Sequence, residues 1–275
     1  MKRIASILLA VLSLQALSVS AAFAESLKDG VYFAQEGAFA KSGWKYQVRL
    51  EVKGGKIAKA EWNAVNNLGL ADKKTVAAAG AYGMVKASQL KKEWHEQAAA
   101  VEDYLVKTQD LAFAKYTTDA GNTDAIAGAS IMVKEFFVLA QEAVHAGPLA
   151  KGRYAKDGWY YASAADFDAS GWKANVLLTV ANGSIVDAVW NGLSSDRKKK
   201  SKLVEAAKGN YGMGKAATQG EWHLQAERAV RALLVTQNPA AIPVKADGKT
   251  DAVSGVTMGV SEFLSLAGEA LKSAR

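Results

Sequence analysis

Residues 46–57 read Tyr46-Gln47-Val48-Arg49-Leu50-Glu51-Val52-Lys53-Gly54-Gly55-Lys56-Ile57. Tyr46, Val48, Leu50 and Val52 alternate with Gln47, Arg49 and Glu51, the period-two pattern of a half-buried strand. Gly54-Gly55 supplies a tight turn, and Ile57 to Trp62 return as a second strand, so the stretch reads as a β-hairpin. The same pattern comes again further on. Asn175 to Val180 run as a strand, Asn182-Gly183 turn, and Ile185 to Trp190 return.

The hairpin is one part of a longer duplication. Gly43-Trp44-Lys45 recurs as Gly171-Trp172-Lys173, and Tyr82-Gly83-Met84 as Tyr211-Gly212-Met213. Glu93-Trp94-His95 recurs as Glu221-Trp222-His223, Thr123-Asp124-Ala125 as Thr250-Asp251-Ala252, and Glu135-Phe136 as Glu262-Phe263. The offsets are 128, 129, 128, 127 and 127 residues, in the same order along the chain. That period is too long for a solenoid unit of ~20–50 residues, so it marks a domain duplication. The boundary falls near Gly147-Pro148-Leu149, where Gly and Pro interrupt a helical pattern. Copy one is 25–147 and copy two 148–275, each of roughly 120 residues and large enough for its own core. Gly30 and Gly152 are read as opening the copies in corresponding places.

Helices follow each hairpin. Trp94, Val101, Leu105 and Thr108 fall near one face at helical spacing, as do Trp222, Ala226, Ala229, Val230 and Leu233. A last helix carries Phe136, Phe137, Ala140 and Val144 on one face, matched by Phe263, Leu264, Ala267 and Leu271. Antiparallel strands followed by helices predict an α+β fold: two tandem copies of a small domain, each an antiparallel sheet with helices packed on one face.

Composition narrows the function classes. The 275 residues include no Cys and three His, so disulfides are impossible and a metal site would rest on His and carboxylates alone. At the N-terminus Lys2 and Arg3 precede a mostly apolar run, Ile4 to Leu17, and Ala22-Phe23-Ala24 fits a small-x-small cleavage site. Residues 1–24 therefore read as a signal peptide cleaved after Ala24. The run is shorter than the ~20 residues of a spanning helix, which argues against an uncleaved anchor. The mature chain is expected in the periplasm or otherwise outside the cytoplasm, without a transmembrane span. Losing Lys2 and Arg3 takes the formal charge from +7 to +5. One basic cluster, Arg197, Lys198, Lys199, Lys200 and Lys202, reads as a solvated face. A nucleic-acid partner is not expected of an exported protein with one such patch.

The segment that carries chemistry is Thr250-Asp251-Ala252-Val253-Ser254-Gly255-Val256-Thr257, with its counterpart Thr123-Asp124-Ala125-Ile126-Ala127-Gly128-Ala129-Ser130. It reads as a short apolar strand ending at a glycine, with Thr257 or Ser130 opening a helix. A hydroxyl there ordinarily does no more than cap the helix. The free N–H groups of a helix start also favour a phosphate.

This segment resembles the end of the FMN-binding domain found in the C subunit of sodium-pumping NADH:quinone reductase, the G subunit of the Rnf complex, and exported flavin proteins. The family's pattern is Asp, two variable residues, Ser or Thr, Gly, Ala, then Thr or sometimes Ser. Asp251, Ser254, Gly255 and Thr257 match, with Val256 in place of the alanine. Asp124, Gly128, Ala129 and Ser130 match in copy one, with Ala127 in place of the Ser/Thr. The resemblance implies FMN joined through a phosphodiester to the final hydroxyl by a separate flavin transferase. Thr257 is the favoured acceptor over Ser130, and Val256 adds bulk beside it. It further implies an exported electron carrier working with a respiratory or membrane redox partner, more a carrier than a self-contained enzyme. The alternative is a binding or scaffold module that keeps the fold without covalent flavin.

A flavin ring needs an apolar or aromatic wall. Tyr82, Met84, Tyr211 and Met213 are the candidates, because a Gly between bulky residues outside regular structure suggests a shaped loop. Trp44, Trp62, Trp172 and Trp190 are lesser ones, since a single aromatic more often packs the core. Gly209 to Lys215 imitates a phosphate loop, but Ala216 stands where magnesium needs a hydroxyl. No acid/base pair or nucleophile constellation points to a catalytic centre, and His95 and His223 lack converging ligands.

Overall fold

A computed structural model describes residues 26–275. The reading of residues 1–24 as a signal peptide lies outside the described residues. Copy one runs β1 (Gly30–Gln35), β2 (Trp44–Lys53), β3 (Lys56–Asn66), α1 (Lys73–Ala78), α2 (Trp94–Thr108) and α3 (Lys134–Ala146). Copy two repeats the order as β4 (Gly158–Ser163), β5 (Trp172–Ala181), β6 (Ser184–Ser194), α4 (Lys202–Ala207), α5 (Trp222–Thr236) and α6 (Ser261–Ala270). Each copy forms a three-stranded antiparallel sheet in simple order, β1-β2-β3 and β4-β5-β6. The fold is α+β, as the hairpins predict.

Both hairpins turn where expected, with Gly54 and Gly55 at φ 58° and 74° and Asn182 and Gly183 at φ 46° and 75°. Positive φ at both central residues is the type I′ geometry that matches strand twist. The first strand of each sheet escapes the alternation argument, because all six residues of β4 are half-buried and only Tyr32 of β1 is buried. The opening glycines need correcting. Gly30 starts β1 at φ 151° and Gly158 starts β4 at φ 154°, so Gly158, not Gly152, is the equivalent of Gly30.

The helices cover one face of each sheet. In copy one, Trp62 of β3 meets Trp94 of α2 at 5.1 Å and Phe136 of α3 at 5.5 Å between ring centroids. In copy two, Trp190 meets Trp222 at 5.2 Å and stacks on Phe263 at 4.7 Å. Thr108, expected on the buried face of α2, is exposed, and its hydroxyl donates back to the Tyr104 carbonyl at 2.8 Å. Both long helices end on a left-handed glutamine, Gln109 (φ 59°) and Gln237 (φ 55°). Its side-chain amide accepts from and donates to the backbone of Ile57 or Ile185 at 2.6–2.9 Å, tying helix end to hairpin.

The opposite faces of the two sheets meet each other. Val65, Leu177 and Val189 form a small apolar cluster there, joined by Trp159 and Tyr161. At its side lies Gln47, fully buried, with all four amide positions used. Its Nε2 donates to Gln35 and Asp187, each at 2.8 Å, and its Oε1 accepts from Trp159 at 2.6 Å and Thr179 at 2.9 Å. Arg49 pairs with Glu61 in its own sheet and with Asp157 of copy two at 2.7 Å. The loop after β3 completes the junction. The Asn67 carbonyl accepts from Asn191 and Ser201, and that of Gly69 from Tyr161. No helix among the described residues is long and apolar enough to cross a membrane.

Candidate functional site

The repeated Asp-to-hydroxyl segment is not a strand running into a helix. Residues 251–260 and 124–133 are irregular, and the helices that follow are capped by Val260 and Val133. Thr257 and Ser130 therefore occupy neither the N-cap nor the first turn. The Val260 and Ser261 N–H groups are claimed by the Gly248 carbonyl at 2.7 and 3.2 Å. The helix-start phosphate site read from the sequence is therefore not formed, because the chain spends three more residues on a turn before the helix begins.

What holds the hydroxyls is a glutamine on the long helix. Gln97 Oε1 accepts from the Ser130 N–H at 2.8 Å and from its Oγ at 3.0 Å. Gln225 Oε1 accepts from the Thr257 N–H at 2.8 Å and from its Oγ1 at 3.3 Å. Both glutamines are fully buried, while Ser130 and Thr257 are exposed. A fixed backbone thus presents a reachable hydroxyl twice. The repeat carried a signal for this: Glu-Trp-His-x-Gln occurs at both 93–97 and 221–225.

Gly255 (φ 75°) and Gly128 (φ 89°) take the left-handed conformation that glycine adopts most readily. A cation lies against each. Arg228 of α5 donates to the Gly255 carbonyl at 2.7 Å and to that of Gln219 at 2.8 Å. A methyl group added to Gly255 would meet its Nε at 3.1 Å, and one on Gly128 would meet Lys92 Nζ at 3.7 Å. Asp251 is exposed and paired with Lys245 at 2.8 Å, and Asp124 and Ser254 are exposed. Val256 does not crowd Thr257 from the solvent side. Its side chain is buried in the core of copy two, as Ala129 is in copy one.

Tyr82 and Met84 lie on a half-buried loop beside this site. Gln97 Nε2 makes a weak bond to Met84 Sδ at 3.6 Å, so one side chain touches both the Ser130 segment and the Tyr-Gly-Met loop. In copy two the Met213 and Gly214 N–H groups donate to the Glu221 carboxylate, each at 3.1 Å. That carboxylate occupies the amides of the imitation phosphate loop.

Tyr82 and Tyr211 also serve a second cluster that the sequence did not disclose. Lys73, at the start of α1, is 2 % exposed. Its Nζ lies 4.5 Å from the ring centres of Tyr46 and Trp94, 4.8 Å from Tyr82 and 5.5 Å from Trp44. It also donates to Tyr46 Oη at 2.5 Å. Burial draws the Lys73 ammonium down to about 7, against the pull of Glu135 and Glu36. Lys202 repeats the arrangement 4.8 Å from Trp222, 4.9 Å from Tyr211 and 5.9 Å from Trp172, and burial lowers it too. Lys202 thus leaves the solvated basic run in which the sequence placed it, while Arg197 to Lys200 remain exposed.

No known protein family's profile matches the chain, and no curated protein matches it. Two solved structures are similar in part. A solution NMR structure of a Clostridium thermocellum protein is 47% identical, covers 47% of this chain and 100% of its own, and superposes with a TM-score of 0.36. A crystal structure of a Clostridium perfringens protein is 24% identical, covers 44% of this chain and 88% of its own, and has a TM-score of 0.34.

Proposed function

We propose that the chain is a flavin-carrying electron-transfer protein that holds FMN at Thr257, Ser130 or both. One observation carries the reading. In each copy an exposed hydroxyl sits on a loop pinned by a buried glutamine, next to a glycine at positive φ with a cation against it. Those features fit a phosphodiester. The hydroxyl is open to a transferase, the glycine lets the backbone come close, and Arg228 keeps N–H donors beyond the two carbonyl bonds it makes.

When bound, FMN would supply one- or two-electron transfer. The protein's own part is holding and shielding. Gln225 retains the Thr257 N–H whether or not Oγ1 is esterified, so the loop keeps its place after attachment. Arg228 and Lys92 offset the phosphate charge. The Tyr82-Met84 and Tyr211-Met213 loops offer the apolar wall. On this reading maturation needs a flavin transferase, and electrons pass to or from a membrane or respiratory partner.

The test is the intact mass of the protein made in a host with a flavin transferase. The expected result is an FMN adduct that Thr257→Ala reduces and Thr257→Ala with Ser130→Ala abolishes. A colourless protein of unmodified mass from that host would leave the binding-module alternative in its place.

A further inference from the structure

A cavity of about 360 Å³ lies where the copies meet, between β6, α4 and α5 of copy two and the loop after β1 of copy one. Leu203, Val230, Trp190 and Phe39 form its apolar walls, and His223 and the Lys45–Asp187 pair supply its polar side. It is distinct from the hydroxyl site. At 100° per residue, His223, Glu227 and Val230 project from one flank of α5 while Gln225 and Arg228 project from the other.

The equivalent place in copy one shows why the cavity exists. There Lys74 and Glu102 stand at the positions of Leu203 and Val230 and form an ion pair at 2.6 Å. Glu102 also accepts the Trp62 backbone N–H at 2.6 Å. In copy two both charged chains are replaced by shorter apolar ones. Space opens, and Val230 offers no acceptor to the equivalent Trp190 N–H. The same two replacements produce an apolar chamber and a donor in its wall.

The remaining polar groups define the occupant. Lys45 is paired with Asp187 at 2.8 Å and Arg231 with Glu227, so the charges balance and a net charge in the ligand would be left unpaired. The groups with unused capacity are chiefly donors. They are the Trp190 N–H and the further N–H bonds of Lys45. The volume falls at the small end of ligand cavities, roughly 300–1,000 Å³. We propose that this cavity binds a small, neutral aromatic compound bearing a carbonyl acceptor.

The probe is coumarin, titrated by calorimetry into the full mature chain, with naphthalene as the ring pair lacking the acceptor. Coumarin is expected to bind saturably at one site per chain and at least threefold tighter than naphthalene. Leu203→Lys with Val230→Glu, which installs the copy-one pair, should weaken coumarin at least tenfold. Val230→Phe, which fills the space without adding charge, should do the same and guards against misfolding of the double variant. Circular dichroism checks each fold. Absence of saturable coumarin binding, or unchanged affinity in a folded variant of either kind, overturns the site. Equal affinity for naphthalene overturns the carbonyl requirement.

Discussion

Two side chains shape the candidate site of each copy, and neither belongs to the motif that draws the eye. Gln225 contributes one oxygen to two donors of Thr257. Replacing it by Leu keeps the volume and strands a backbone N–H. Such a loss costs about 1–3 kcal/mol. Urea unfolding should show a drop of that size, and the Leu variant should take up less flavin under transferase treatment. Lys73 makes a different prediction. Its folded pKa, about 7, lies below the ordinary lysine value of 10.5. Between those values the unfolded chain binds the proton more than the folded one does, so stability rises with pH across that window. The slope approaches ~1.4 kcal/mol per pH unit. Glu36, Glu135, Tyr46 and Tyr82 face the same ammonium, so the comparison is with Lys73→Met, which keeps them all. Urea midpoints from pH 7 to 9.5 should climb in the parent chain relative to that variant. Parallel curves would show that Lys73 keeps its proton. The glutamine left a trace in the repeated Glu-Trp-His-x-Gln, but the lysine left none. Lysine in a sequence reads as surface, and only the cage of Trp44, Tyr46, Tyr82 and Trp94 reverses that.

Elements were legible where a single periodicity governed them. The hairpins announced themselves because one face of β2 and β5 is apolar and the turns carry Gly54-Gly55 and Asn182-Gly183. β1 and β4 were missed because all their residues but Tyr32 are half-buried and show no alternation. The short helices α1 and α4 span six residues each, too few for an amphipathic pattern to emerge. The motif segment was read as strand and helix start because Gly followed by a hydroxyl is a common helix signal. Here the turn through Gly121 or Gly248 takes that role, with Val133 and Val260 donating to those carbonyls. The two turns also make unequal demands. A methyl on Gly55 would sit 3.0 Å from Ser26 Cβ, a tight contact relieved by a shift of a few tenths of an ångström, whereas on Gly183 it would meet the Tyr154 carbonyl at 2.5 Å. Gly55→Ala should cost about 1–2 kcal/mol from the left-handed backbone alone. Gly183→Ala should cost at least twice as much, read from the denaturation midpoint of each variant.

At the scale of the molecule, the duplication was plain from sequence and the way the copies join was not. Period and register say that two domains exist. They do not say that Gln47 and Arg49 of β2 and Glu61 of β3, polar residues on the outward face of the hairpin, face another sheet instead of water. Gln47 is the member with most at stake, since its removal leaves the Trp159 indole N–H and the Thr179 hydroxyl without their acceptor. Calorimetry should find Gln47→Ala unfolding in two separated steps, with copy two leading, where the parent chain unfolds in one. A single unchanged transition would show that the junction does not couple the copies.

That junction also makes the halves into complementary parts. Arg49 and Glu61 of the first sheet have Leu177 and Val189 as their repeat counterparts, so one face is charged where its sibling is greasy. Two copies of the first face would bury doubled charge, and two of the second would forgo the bonds that Gln47 alone can make. A chain cut at residue 147 should therefore reassemble as mixed pairs. Inheritance of both halves on one polypeptide secures the correct mate, so drift in either face is answerable to the other. The freedom to vary lies on the outside of the pair.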